Sequence, residues 1–133
     1  MLHIGVNMVG VIAATIVALI FWFIWYSPQL FGKAWARSLI AKGGRTPKRN
    51  AFYLLMIIVS NFIIALVLGV VISMAQARTL GAGLVIAGII WVGFFFSKEV
   101  VAAAMRHHGS MLAINGFHDL IALLLMAAVI ILV

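Results

Sequence analysis

Residues 51–74 read AFYLLMIIVSNFIIALVLGVVISM, an apolar run broken only by Tyr53, Ser60, Asn61 and Ser73 and without a single charge. A helix needs about 20 residues to cross a hydrocarbon core about 30 Å thick, so the run predicts a transmembrane helix. Working outward, three more runs have that character: Ile4 to Tyr26, Ala82 to Ala104 and Leu112 to Val133. The alternating polar and apolar pattern of a membrane barrel is absent, and helices satisfy their own backbone groups without water.

Four spans use nearly all of the 133 residues, of which 67% are apolar and only 8% charged. The chain is therefore expected to be one integral membrane domain over residues 1–133, with no soluble domain left over. The first span lacks the basic start and small-residue cleavage site of a secretory signal and is expected to remain in the mature protein. With no cysteine in the chain, disulfides and thiol chemistry are excluded. The formal charge of +7 points to orientation, not to nucleic acid, because Lys33, Arg37, Lys42, Arg45, Lys48 and Arg49 all fall between the first two spans. Such a cluster marks a cytoplasmic loop, which places both termini and the loop around Arg78 outside, and the turn at Arg106-His107-His108 inside.

Pro28 breaks the first helix, because its ring would strike the carbonyl of Ile24 if the helix continued. A short helix follows over residues 29–42, in which Phe31, Trp35 and Leu39 repeat every four residues while Lys33 and Arg37 lie on another face. That pattern suits a helix on the membrane surface. Gly43-Gly44 supplies its end, and Thr46-Pro47 is read as the cap and first turn of the second span. Lys48 and Arg49 are read as anchors to anionic headgroups. The fold class is all-α: a four-transmembrane-helix bundle with a short amphipathic interfacial helix between spans one and two. Gly83, Gly88 and Gly93 on the third span and Ala14 and Ala18 on the first are spaced for close helix packing.

Glu99 and Asp119 are the chain's two carboxylates, and both sit inside spans. Ionisable groups at that depth cost at least a few kcal/mol and mark functional sites by default. At 1.5 Å per residue each lies about 10–13 Å from its helix end, so the two share a depth. Asn115, His118 and Asp119 form an i, i+3, i+4 stripe, and Asn61 reaches a deeper level. One reading is a polar site in which Glu99 and Asp119 titrate and Asn61, Asn115 and His118 assist, serving proton- or cation-linked movement of a small solute. The other is a set of interhelical bonds that hold a non-transporting assembly together.

Consecutive histidines diverge on a helix and lack accompanying ligands at metal spacing, so neither metal nor cofactor is expected. No nucleophile arrangement or nucleotide loop suggests an enzyme. Trp22, Trp25, Tyr26 and Trp35 are read as an aromatic belt. Partners are expected to be the bilayer, further copies of the chain and a small solute or ion.

The run Trp25-Tyr26-Ser27-Pro28, followed by Phe31-Gly32-Lys33-Ala34-Trp35, resembles the opening motif of the domain-of-unknown-function family 1761. Ile114-Asn115-Gly116-Phe117-His118-Asp119 is similar to that family's closing segment. The resemblance implies a small four-span protein of the bacterial inner membrane, and supplies no activity or site residues. Bulky Trp22 and Phe23 stand where the family often has a small residue.

Overall fold

The computed structural model describes residues 5–40, 50–106 and 109–133. Among these the secondary structure is entirely helical: α1 (Met8–Trp25), α2 (Gly32–Ile40), α3 (Ala51–Met74), α4 (Leu80–Ile90), a π-helical segment (Trp91–Phe96), α5 (Ser97–Arg106) and α6 (Gly109–Leu132). Four helices are long and apolar enough to cross a membrane: Met8–Trp25, Ala51–Met74, Leu80–Met105 and Leu112–Leu132. The chain is an all-α, four-span membrane bundle. The expected helix end at Gly43-Gly44, the cap at Thr46-Pro47, the headgroup anchors Lys48 and Arg49 and the turn at His107-His108 lie outside the described residues.

Polar side chains cap α1, α3 and α4, and at α1 and α4 the helix start differs from the hydropathy boundary. The first helix begins at Met8, not Ile4, because the Asn7 side chain accepts a hydrogen bond from the Gly10 amide at 3.0 Å. The same side chain donates to the Ile130 carbonyl at 3.1 Å, which ties the start of α1 to the end of α6. A Cβ on Gly10 would sit 3.2 Å from the Ile130 Cα, so these helices cross almost backbone to backbone. Asn50, accepting from the Tyr53 amide at 2.9 Å, caps α3. Thr79 caps α4 through the Ala82 amide at 3.2 Å, which starts the third span at Leu80, two residues ahead of the hydropathy boundary at Ala82.

α6 is the central element, packed against α1 on one side and α4 on the other, while α3 leans on α1. Its span is 44% buried, against 11% for Leu80–Met105. Val11, Ala14, Ala18, Ala65, Leu68, Ala87, Leu123, Met126 and Ala127 form the core. Small residues divide here: Ala14, Ala18 and Gly83 pack inward, while a Cβ at Gly88 or Gly93 would meet nothing within 4 Å.

The third span is not one α-helix. Six residues from Trp91 to Phe96 wind as a π turn, and the Ser97 hydroxyl donates to the Gly93 carbonyl at 2.7 Å. Each residue added to a turn rotates the downstream helix by about 100°, so α5 presents a different face from the one a straight helix would.

Candidate functional site

The end of the bundle that carries α2, with Lys33 and Arg37 exposed, is its basic end. There the motif around Pro28 folds into a tight corner. α1 stops at Trp25, and the next amides turn back on it: Phe31 donates to the Trp25 carbonyl at 3.1 Å, and Gly32 to the Ser27 carbonyl at 3.0 Å. The Ser27 hydroxyl occupies the Ile24 carbonyl at 2.8 Å, one of the acceptors left over where the helix ends. The Phe31 ring covers Trp25 at 4.4 Å between centroids, and Trp35 meets Tyr26 edge-on at 5.9 Å. A side chain at Gly32 would collide with the Tyr26 carbonyl and come within 2.8 Å of the Ser27 carbonyl, so only glycine closes the corner. Beyond it, Trp35 and Leu39 of α2 are half-buried, Ser38 is buried and α2 lies against α6.

The corner aims its aromatic residues at the first turns of α6. The Trp25 indole donates to the Ile114 carbonyl at 3.1 Å, and the Tyr26 hydroxyl donates to the Asn115 side-chain oxygen at 2.8 Å. From the opposite side the Trp91 indole donates to the Gly116 carbonyl at 2.8 Å. Two tryptophans from different spans thus grip α6 within three residues of each other. By sequence Trp25 and Tyr26 fit an interfacial belt; in the fold their polar atoms bond inside the bundle.

His118 is 8% exposed and lies one turn beyond Ile114. Its ring stacks on Phe21 at 5.3 Å with planes only 12° apart, with Tyr26 at 5.0 Å and Trp25 at 6.2 Å. Its Nδ1 is 3.1 Å from an Asp119 carboxylate oxygen. Its Nε2 is buried and has no hydrogen-bond partner among the described residues. Asp119 is half-buried, as is Glu99 in the first turn of α5. α5, which carries Glu99, packs against α6, which carries Asp119.

Of the residues singled out in sequence, Asn115 and His118 therefore meet Tyr26, Asp119 joins them through His118, and Glu99 lies on α5, which packs against the same helix. Asn61 does not join them through any described hydrogen bond: its amide donates to the Ile57 carbonyl of its own helix at 2.9 Å. Lys98, adjacent to Glu99, is exposed. Among the described residues no group of three or more metal-ligating side chains comes together. The interior half-way along the bundle is different in kind. A groove of about 380 Å³ between α3 and the π turn is lined by Ile63, Val67, Ile90, Phe94, Phe95 and Leu123 among others, all apolar.

Sequence reasoning placed Tyr26 in an interfacial motif apart from the polar residues, and did not assign Trp91 to either group. Tyr26 stands out in the sequence only as the second residue of the Trp-Tyr pair, and nothing local to Trp91 announces a partner 25 residues away.

A family model described as a protein of unknown function (DUF1761) matches residues 9–131. Neither a curated protein nor a solved structure matches the chain.

Proposed function

We propose that this chain, which belongs to the DUF1761 family of proteins of unknown function, couples proton binding to movement of a small solute or cation across a bacterial inner membrane. The observation that carries the reading is the polar cluster at the basic end of the bundle, where the Tyr26 hydroxyl bonds to Asn115 and the His118–Asp119 pair lies beside the Tyr26 ring, with Glu99 half-buried at the start of the adjacent α5. Carboxylates inside an apolar bundle are costly, and proton carriers are among the proteins that keep them. Glu99 and the His118–Asp119 pair are the proton-binding groups; Tyr26 and Asn115 hold the pair in register.

In this reading the basic end faces the cytoplasm, both termini face outward, and the working unit contains several copies in the bilayer. The last point rests on burial: with 22% of the α3 window and 11% of the third span's window covered, one copy encloses little volume. No cofactor, metal or nucleic acid enters the scheme, and the chain is a carrier, not an enzyme.

A second reading, a non-transporting assembly module, is favoured by one feature: Tyr26, Trp25 and Trp91 all direct their hydrogen bonds to α6. Flux of a panel of small solutes into liposomes under an imposed pH gradient separates the two. The carrier reading expects uptake by the wild-type chain that falls at least tenfold in Glu99→Gln and Asp119→Asn. Equal uptake in the variants overturns it, and no uptake together with weakened oligomers in detergent favours the assembly module.

A further inference from the structure

Within that cluster, and resting on the proton-linked reading, we infer that the proton enters at Nε2 of His118 and that Asp119 is a positioning residue that keeps this atom bare. An ionised carboxylate only accepts hydrogen bonds, so Asp119 at 3.1 Å from Nδ1 selects the tautomer in which Nδ1 carries the hydrogen. The remaining ring nitrogen then presents a lone pair. That nitrogen is the one buried side-chain polar atom left without a partner among the described residues. The opposite tautomer would strand a buried N–H donor and leave the charge-assisted bond to Asp119 unmade.

The surroundings suit the protonated ring. Phe21 lies nearly parallel to it at 5.3 Å, and Tyr26 and Trp25 flank it at 5.0 and 6.2 Å, so an imidazolium would face three π systems as well as the Asp119 charge. The step balances simply. A proton that originates in bulk water is taken by the Nε2 lone pair, an N–H bond forms, Nδ1 keeps its hydrogen, and the net charge of the His118–Asp119 pair rises by one.

Among the described side chains, few titratable groups stand near His118. Asp119 is on its own helix, Tyr26 stands at the end of α1, and Glu99 is half-buried in the first turn of α5. Lys33 and Arg37 on α2 and Lys98 on α5 are exposed, α4 and the π turn carry no titratable side chain, and Tyr53 of α3 packs on Trp22 at 6.0 Å. Protonation therefore changes the charge of a small set among the described side chains. Because the His118 ring packs on Phe21, Trp25 and Tyr26, the change is delivered directly to the corner that seats α2.

The test is nitrogen NMR of the full chain in lipid bilayers, with His3, His107 and His108 replaced by Asn so that His118 is the sole labelled histidine. The expected spectrum at high pH has a protonated Nδ1 and a bare, pyridine-like Nε2. Acidification should move only the Nε2 resonance to its protonated position. In Asp119→Ala the preference for hydrogen on Nδ1 should be lost. A ring that carries its hydrogen on Nε2 at high pH, or does not change on acidification, overturns the inference in the wild-type protein alone, whatever the variant does. The spectrum needs no solute, so a titrating ring without solute flux overturns the carrier reading only, and flux with an unchanging ring overturns this inference only.

Discussion

Replacing Gly32 by alanine should damage this protein more than any other single added methyl group among its described glycines. The new Cβ would collide with the Tyr26 carbonyl and lie 2.8 Å from the Ser27 oxygen and 2.9 Å from the Ser27 carbonyl carbon. These are backbone atoms, so no rotamer change relieves the contact, and the corner must open. Opening it sacrifices the bond from the Gly32 amide to the Ser27 carbonyl, about 1 kcal/mol, and the Trp25–Phe31 contact, about 0.5–1.5 kcal/mol. The expected loss is about 1.5–2.5 kcal/mol, or roughly 10–70-fold in the folding equilibrium. Gly88→Ala is the control: a Cβ there meets nothing within 4 Å, and removing a mid-helix glycine should stabilise by about 0.5–1 kcal/mol. Unfolding of both variants in bicelles, followed by tryptophan fluorescence, measures the difference. If Gly32→Ala is as stable as the wild-type chain, or gains as Gly88→Ala does, the steric account of the corner is refuted.

The bond between Tyr26 and Asn115 should give a coupling of about 0.6–1.7 kcal/mol in a double-mutant cycle of Tyr26→Phe and Asn115→Ala read by the same unfolding assay. Asn7→Ala removes both the cap of α1 and the bond to the Ile130 carbonyl, and should cost about 1–2 kcal/mol. Its effect should appear as faster amide exchange at the α1 start and the α6 end, leaving the basic end protected.

Much of this architecture is legible in the sequence because hydropathy over twenty residues integrates many small terms that all agree. Ala51–Met74 is the plainest case: the apolar run and the helix coincide from end to end. What escapes is whatever depends on one atom finding a partner far along the chain. Asn50 and Thr46 are both good caps by residue type, and only the fold shows Asn50 bonded to the Tyr53 amide at the start of α3. Trp91–Phe96 is as apolar as any α-helical stretch, so its π winding leaves no periodicity to read. Counting residues to helix ends leads to the expectation that Glu99 and Asp119 share a depth, but Tyr26 as the neighbour of Asn115 and His118 depends on the corner, which closes only because Gly32 can approach Tyr26 and Ser27. The motif that carries the family resemblance is thus the device that builds the site.

The central claim, that Glu99, Asp119 and His118 act as one proton-binding site inside the membrane, is tested most directly by charge movement in proteoliposomes adsorbed on a sensor and subjected to a rapid pH jump. The account predicts a transient current in the wild-type chain that is abolished in Asp119→Asn and reduced severalfold in Glu99→Gln. Transients of equal size in the wild-type chain, both variants and protein-free liposomes would contradict it.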